Sequence, residues 1–350
     1  MFAGRRNEDA VAVVGAGVAG LSAAKVLDRE GVDYVVFEKN SNVSEFNCGE
    51  IYTSGCYNIP KPPSSATYYA AKNFIFHFDD EDLKVPLPAD TVWVTDKDKI
   101  LKHMADGLNI CTGKPVRISD LEFRKIIDAS GFPSQACKEN ITPKIDKMAV
   151  AVFYRVRGDF SSFFDKNLHF WWIKENKKYG YYWLFPKDVY HANVGVGYEI
   201  VDRAPKFKEI DEFLRKLKID GYQVEMRGAD ALPLNYMRRF CYRYGSKIIL
   251  VAGEGAGLMN FTFMAGIPLA IASGIEAAKA FIQNDPDSYD KTVKQKFFRE
   301  LSNSYMLYRL KKRISIRAFK KIAKVIPEEF GMDVFHVRKI KLLKLVKAFL

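Results

Sequence analysis

Short apolar runs and one glycine-rich segment alternate near the N-terminus. Residues 10–14 and 34–37 are apolar runs of the kind that form buried strands. Between them, residues 21–30 carry an amphipathic pattern that predicts a helix, which ends before Gly31. This region therefore has the pattern of a strand, a turn, a helix and a second strand.

The turn of this unit has the sequence G-x-G-x-x-G, with Gly15, Gly17 and Gly20 as its glycines. In such a turn the first glycine permits the bend, the second lets the backbone approach a pyrophosphate, and the third lets helix and strand pack closely. Glu38 ends the second strand and is placed to accept hydrogen bonds from an adenosine ribose. The unit predicts a dinucleotide site, whose further residues are Val18, Ala19 and Lys39.

Two later segments favour FAD over a nicotinamide cofactor alone. Residues 125–131 and 247–257 each join an apolar run to acidic and small residues, and residues 267–281 predict a helix. A flavin needs acidic groups for its ribose or ribityl hydroxyls and a helix N-terminus at its N1–C2=O edge. The residues expected there are Asp128, Gly253, Glu254, Gly266 and Ile267. Each segment taken alone also fits an ordinary buried strand.

The middle of the chain alternates as strands over residues 148–156, 167–173, 179–186 and 191–197, and residues 207–218 predict an amphipathic helix. These strands are rich in Phe, Tyr and Trp. An antiparallel sheet with an aromatic face can line a large apolar pocket, but it can equally form a solid core.

Composition and charge narrow the class of protein. Apolar residues make up 48% of the 350 residues and charged residues 27%, which is typical of a globular protein. Most of the net charge of +12 lies beyond residue 308, and residues 337–350 form a basic amphipathic pattern without Gly or Pro. This pattern fits a helix on an anionic membrane surface, or one that packs on the enzyme itself. Because the rest is nearly neutral, nucleic-acid binding is not expected.

The remaining patterns argue against several alternatives. The five cysteines are odd in number and include no C-x-x-C pair, so neither a disulfide framework nor structural zinc is expected. The five histidines have no metal-ligand spacing. The uncharged run over residues 255–275 contains Gly, Pro and Asn, which argues against a membrane span. The first ten residues lack the apolar stretch of a secretory signal, so a cytoplasmic location is expected, with peripheral attachment to the inner membrane face.

Four segments together resemble the geranylgeranyl reductase family, within the FAD enzymes typified by aromatic hydroxylases. They are the N-terminal turn with Glu38, the segment Asn47-Cys48-Gly49-Glu50, the spacing Y-x-W-x-F-P-x8-G-x-G from Tyr181 to Gly197, and the late segment 251–267. The resemblance covers roughly residues 8–285. It implies an α/β (α+β) fold, with a Rossmann-like FAD-binding domain, an inserted antiparallel-sheet substrate domain and a C-terminal helical segment.

The late segment departs from the family pattern. The family usually has G-D-A-A-G followed by N-P-x-x-G-x-G-I, whereas this chain has Glu254 in place of the Asp and lacks the Pro and one loop glycine. Phe263 and Met264 are therefore expected to crowd the loop around the flavin. An Arg common before Cys-Gly-Glu is Asn47 here.

The resemblance also implies domains and residue roles. The expected FAD-binding domain comprises residues 8–58, 95–132 and 243–285, the substrate domain comprises 59–94 and 133–242, and 286–350 form a basic helical region. Cys48, Tyr181 and Trp183 are the expected catalytic residues, and Cys48 and Gly49 also lie near the flavin. The lipid pocket is expected to include Phe185, Pro186, Gly195 and Gly197.

The implied reaction is saturation of C=C bonds in a geranylgeranyl or other isoprenoid lipid by hydride transfer from reduced FAD. Two alternatives remain at this stage: an FAD monooxygenase for an apolar substrate, and a non-catalytic lipid-binding scaffold. The chain has no second G-x-G-x-x-G for a nicotinamide cofactor, so both ferredoxin and NAD(P)H remain candidates for the electron donor.

Overall fold

The structure is a computed structural model that describes residues 9–44, 48–54, 57–78, 81–175, 178–313 and 318. The strands within these residues are β1 Val11–Val14, β2 Tyr34–Phe37, β3 Ile51–Thr53, β4 Thr67–Ala70, β5 Asn73–His77, β6 Asp82–Pro86, β7 Val92–Thr95, β8 Ile110–Cys111, β9 Lys125–Asp128, β10 Met148–Arg157, β11 Asn167–Glu175, β12 Lys178–Pro186, β13 His191–Glu199, β14 Gln223–Pro233, β15 Cys241–Tyr244 and β16 Lys247–Val251. The helices are α1 Val18–Arg29, α2 Lys97–Ala105, α3 Gln135–Lys138, α4 Phe207–Lys216, α5 Ile267–Ile282 and α6 Ser288–Arg313.

A six-stranded sheet carries the dinucleotide unit, in the order β15-β16-β9-β1-β2-β8. Its pairs are parallel, except that β15 runs antiparallel to β16. The central strand β1 is fully buried, as its continuous apolar sequence requires. Helices α1 and α5 pack against each other, and a close approach of Gly274 to the backbone of Ala19 permits this contact. The carboxyl ends of β1, β9 and β16 therefore meet the N-termini of α1 and α5 at one edge.

A seven-stranded sheet, in the order β14-β10-β13-β12-β11-β5-β6, provides the aromatic surface. Its pairs are antiparallel except that β5 runs parallel to β11. One face packs against α4 through buried residues such as Ile210 and Phe213. The other face carries aromatic side chains and faces the six-stranded sheet, with Phe74, Phe170 and Trp183 among them. Strands β3, β7 and β4 form a third, antiparallel sheet.

The fold class predicted from the sequence is confirmed, and the predicted strands and helices in the described residues form with shifts of a few residues at their ends. The sequence pattern did not predict β5, which joins the aromatic sheet, or α2. The division into domains stays a prediction. The basic pattern at residues 337–350 lies outside the described residues.

Candidate functional site

The three glycines of the N-terminal turn meet different surroundings. Gly15 has a φ of +100°, and a Cβ there would lie 2.5 Å from the carbonyl oxygen of Ala129 on the chain after β9. A Cβ on Gly20 would lie 1.9 Å from the Gly15 oxygen, whereas one on Gly17 would meet nothing within 4 Å. Gly15 and Gly20 are therefore required for the turn itself, and Gly17 leaves open space where a ligand can approach the backbone.

The N-terminus of α1 faces the same open space. Gly17 is its N-cap, with no side chain capping the helix and no acidic residue in its first turn. The buried Glu38 carboxylate accepts hydrogen bonds from the backbone N–H groups of Ala16 (2.8 Å) and Asn40 (2.9 Å). Since a carboxylate oxygen has more than one lone pair, Glu38 can also accept from a ribose hydroxyl. These residues fit the pyrophosphate and adenosine ribose of a dinucleotide.

The late turn is more crowded. Gly253 has a φ of +65°, and Gly266 is the N-cap of α5. A Cβ on Gly266 would lie 2.5 Å from Oε1 of Glu254, so the Glu254 carboxylate lies directly against the start of α5. Met264, in the loop before the helix, has a φ of +52°, in the left-handed region that favours glycine. This is the position at which the family pattern has its first loop glycine.

The carboxyl group of Asp128 is held by neighbouring groups of the protein. Asp128 is fully buried. One of its carboxylate oxygens accepts a hydrogen bond from the Ser130 hydroxyl (2.6 Å), and the other accepts one from the backbone N–H of Ala136 (2.7 Å). Burial raises the pKa of this carboxyl group, although these hydrogen bonds oppose the shift. Asp128 therefore holds the connection between β9 and α3, and its expected contact with the cofactor stays a prediction.

A single cavity of about 280 Å³ joins the two turns to the aromatic sheet. The predicted site residues that line it are Gly15, Gly17, Val18, Ala19, Glu38, Lys39, Cys48, Gly49, Tyr181, Trp183, Phe185, Gly197, Gly253, Glu254, Gly266 and Ile267. The predicted residues outside the lining are Gly20, Asp128, Pro186 and Gly195. Pro186 is buried, and its carbonyl accepts a hydrogen bond from the hydroxyl of Tyr69.

The Y-x-W-x-F-P-x8-G-x-G spacing is a cross-strand register. Strands β12 and β13 are antiparallel, with Tyr181 opposite Gly197 and Trp183 opposite Gly195. A Cβ on Gly195 would lie 2.3 Å from the Trp183 ring, so the indole covers that glycine. Gly195 is thus outside the cavity because the aromatic ring occupies the space above it.

A buried hydrogen-bonded network fixes Trp183 and the Cys-Gly-Glu segment relative to each other. The Trp183 indole N–H donates to Oδ1 of Asn193 (2.9 Å). The Asn193 amide in turn donates to the Cys48 carbonyl (3.0 Å) and to the Glu50 carboxylate (3.1 Å). A Cβ on Gly49 would lie 3.0 Å from the Phe185 ring, so the segment also packs closely on the aromatic face. The Asn193 side chain therefore links the cavity wall that carries Trp183 to the wall formed by the Cys-Gly-Glu segment.

Glu50 is a buried charge with two cationic partners. Its side chain is 1% exposed and lies 2.6 Å from the guanidinium of Arg155 and 2.8 Å from Nζ of Lys187. Burial lowers the pKa of Lys187, and the Glu50 carboxylate partly offsets this effect. Because a buried carboxylate is costly without such partners, the two cations stabilise Glu50 beside the cavity.

Cys48 lies at the junction of these walls. Its sulfur accepts a hydrogen bond from the Glu50 backbone N–H (3.2 Å). Although the residue touches the cavity surface, protein atoms surround the thiol, and burial raises its pKa to about 11, against the attraction of Lys97. The group is therefore a protonated thiol at neutral pH, not a thiolate.

Several cavity residues were missed by the sequence analysis. Phe74 lines the aromatic wall, the ring of Phe153 lies 6.3 Å from that of Trp183, and Lys97 lies at the start of α2. The alternation N-F-I-F-H over β5 is a strand signal that could have identified Phe74. In contrast, Asn193 has no local pattern that distinguishes it, because its partners are distant in sequence.

Two negative findings concern the described part of the chain. No group of His, Cys, Asp or Glu side chains in these residues is arranged to hold a metal ion. Among the same residues, no helix combines the length and apolar character needed to cross a membrane.

Comparisons with known proteins find a Rossmann-like match at the N-terminal turn and reductases among the relatives of this chain. The model of an NAD(P)-binding Rossmann-like domain matches residues 13–59. The digeranylgeranylglycerophospholipid reductase of Picrophilus torridus is 25% identical over 340 residues, which cover 83% of this chain and 84% of that protein. The enzyme of the same name from Thermoplasma acidophilum is 22% identical, with 91% of each chain covered.

Solved structures show the same fold. A geranylgeranyl bacteriochlorophyll reductase-like protein from Thermoplasma acidophilum has a TM-score of 0.77 at 20% identity, and the match covers 97% of this chain and 95% of that one. A 2-methyl-3-hydroxypyridine-5-carboxylic acid oxygenase has a TM-score of 0.61 at 15% identity, with 88% and 93% covered. The resemblance to geranylgeranyl reductases is confirmed, and so is the expectation of an oxidoreductase.

Proposed function

We propose that this chain, which is similar to digeranylgeranylglycerophospholipid reductases over most of its length, is an FAD-dependent reductase that saturates C=C bonds of an isoprenoid lipid. The observation that carries the proposal is the continuous cavity, which is lined by the dinucleotide turn at one end and by Tyr181, Trp183 and Phe185 at the other. A cofactor and an apolar chain can meet in such a cavity.

The N-terminal turn would hold the adenosine half of FAD. The open space at Gly17 and the uncapped start of α1 suit the pyrophosphate, and Glu38 suits the ribose. Gly253 and the N-terminus of α5 would border the flavin ring, with Glu254 able to accept from ribityl hydroxyls. When bound and reduced, the flavin supplies the hydride for the alkene.

An isolated alkene develops no oxyanion that hydrogen-bond donors could stabilise. Catalysis by this chain must therefore rest on the orientation of the double bond and on exclusion of water. Trp183 and Phe185 provide apolar walls, and the hydrogen bond from Trp183 to Asn193 holds the indole in one orientation. These side chains act by positioning the lipid.

The second hydrogen of the product arrives as a proton, and Cys48 is our proposed source. Its thiol is protonated at neutral pH because burial raises its pKa to about 11. Tyr181 has a positioning role instead, since its hydroxyl donates to the carbonyl of Phe263 (2.5 Å) and its burial raises the pKa further. A proton released by Tyr181 would cost that hydrogen bond.

The proposal also includes an electron donor, a membrane surface and the division into domains. The electron donor is a ferredoxin or NAD(P)H. The basic segment at residues 337–350 docks on an anionic membrane surface, where the lipid resides. The FAD-binding and substrate domains have the boundaries predicted from the sequence, consistent with the separation of the parallel sheet from the aromatic sheet.

The test begins with the absorption spectrum of the purified protein after addition of FAD. The protein is then reduced with dithionite without oxygen and incubated with a geranylgeranyl lipid, and mass spectrometry measures gains of two hydrogens. Such gains support the proposal. Oxygen consumption coupled to substrate, with addition of an oxygen atom to the lipid, would establish a monooxygenase instead. Failure to bind FAD at all would contradict both and leave a lipid-binding scaffold.

A further inference from the structure

Phe263 extends from the loop before α5 into the aromatic face of the seven-stranded sheet. Its ring stacks on Phe74 with centroids 6.2 Å apart and an interplanar angle of 27°. The rings of Phe76 and Phe170 each lie 6.4 Å from it. Phe263 also lines the cavity. A side chain from the six-stranded half of the molecule therefore covers part of the apolar wall of the other half.

Hydrogen bonds hold the backbone of Phe263 in place. The Tyr181 hydroxyl donates to the Phe263 carbonyl (2.5 Å), and the Asn260 side chain accepts from the backbone N–H groups of Thr262 (3.0 Å) and Phe263 (3.2 Å). Asn260 and Ala265 also exchange two backbone hydrogen bonds across the loop. The backbone of Phe263 is thus held at its N–H group by Asn260 and at its carbonyl by Tyr181 of the aromatic sheet.

We propose that Phe263 determines specificity by limiting the size of the isoprenoid chain that the cavity accepts. Because the ring is held against the sheet, a bound chain must fit beside it, and the volume of the ring is lost to the substrate. That the bound molecule is an isoprenoid rests on the function proposed above. The size limit itself rests only on the packing of Phe263.

The main experiment compares kcat/KM for geranyl and geranylgeranyl substrates in the FAD-loaded, dithionite-reduced enzyme. We expect Phe263→Ala to raise the ratio of geranylgeranyl to geranyl turnover by about tenfold or more, equivalent to about 1.4 kcal/mol. Phe263→Trp should lower the ratio, because a larger ring leaves less room. An unchanged ratio in both variants would overturn the proposal. The Trp variant keeps the test decisive if Phe263→Ala does not fold.

A matched control lies in the same loop. Phe261 is fully buried, is not part of the cavity lining and packs against Tyr236 and Tyr305. Phe261→Leu changes the same residue type two positions away but leaves the cavity intact. Its substrate ratio should equal that of the unmodified protein. A shift as large as that of Phe263→Ala would assign the effect to loop disturbance and contradict the size limit.

A binding measurement separates this inference from the proposed reaction. Calorimetry with the saturated alcohols tetrahydrogeraniol and phytanol requires no turnover. We expect Phe263→Ala to gain affinity for phytanol relative to tetrahydrogeraniol. If this gain appears while no prenyl compound is reduced, the size limit stands and the reductase function fails. If reduction occurs but neither binding nor turnover changes its size preference, the reductase stands and the size limit fails.

Discussion

The N-terminal turn at residues 15–20 and the late turn before α5 both connect a strand of the same sheet to a helix at one cavity. At the first, Gly17 opens onto empty space and no side chain caps α1. At the second, the Glu254 carboxylate lies against Gly266, and the loop carries Phe263 and Met264 beside the helix start. Similar elements thus produce one open helix end and one crowded helix end.

The difference divides the proposed cofactor site into two parts under different constraints. The part for adenosine and pyrophosphate needs close backbone approach, which only the absence of side chains allows. The part for the flavin ring also forms a wall of the substrate cavity, so its side chains affect cofactor and substrate together. Four predictions test this division, in order of decreasing effect.

The largest effect is expected from two substitutions in the first turn. Gly20→Ala places a Cβ 1.9 Å from the Gly15 oxygen and should prevent folding. Gly17→Val meets no protein atom within 4 Å of its Cβ, so the fold should survive. It should nevertheless abolish FAD binding, because the side chain occupies the space of the pyrophosphate. Circular dichroism and flavin absorbance measure the two outcomes. FAD binding by Gly17→Val at normal affinity would contradict the assignment of the open end.

The second prediction concerns the Cys48 thiol, where the walls meet. Its raised pKa of about 11 should slow alkylation by iodoacetamide at pH 9 at least about tenfold relative to a free thiol. The folded state favours the neutral thiol. The contribution of this thiol to stability is therefore fully present below its ordinary pKa near 9, and it is lost as the pH rises through the folded-state pKa of about 11. Mass spectrometry of the alkylated peptides gives the rate. Alkylation at the free-thiol rate would contradict a buried thiol.

The third prediction breaks the link between the walls. Asn193→Leu removes the partner of the Trp183 indole N–H and should lower the free energy of unfolding by about 1–3 kcal/mol. It should also speed Cys48 alkylation, since the Cys48 carbonyl loses a donor.

Asn167→Leu is the matched control for this change. Asn167 accepts a hydrogen bond from Asn73 (2.7 Å), in the same sheet but outside the cavity lining. It should lose similar stability in urea unfolding and leave Cys48 alkylation unchanged. Equal acceleration in both variants would mean that general loosening, not the Asn193 link, exposes the thiol.

The smallest effect is expected at the crowded end. Met264→Gly relieves the strain of a left-handed backbone conformation, a gain of about 0.5–1 kcal/mol in urea unfolding that the loss of packing by the partly buried methionine side chain opposes. Exposed Lys218 has a φ of +59°, so Lys218→Gly should give a similar gain. Only Met264→Gly should also tighten FAD binding, because it alone removes a side chain from the cavity. Equal FAD affinity in both variants would contradict crowding by Met264.

Local pattern was sufficient to predict the dinucleotide unit and much of the aromatic sheet. Gly20 packs against Gly15 within the same short unit, and the tryptophan–glycine spacing reflects the register of adjacent strands β12 and β13. Both signals lie within a few dozen residues. The sequence could therefore predict them without knowledge of the distant chain.

The features that were missed depend on distant partners. Strand β5 belongs to the aromatic sheet through parallel pairing with β11, which no local turn specifies. The buried state of Glu50 depends on Lys187 and Arg155, both more than a hundred positions away.

The contact of the Trp183 indole with Gly195 also constrains how this protein can change over generations. A methyl group at position 195 has no room while the indole is present, and a smaller side chain at position 183 exposes a bare glycine backbone beneath it. A substitution at either position alone is therefore expected to disturb the packing. A smaller side chain at position 183 together with a larger one at position 195 can keep the two strands packed. The volumes at positions 183 and 195 are therefore coupled, and we expect any remodelling of this wall to change both residues together.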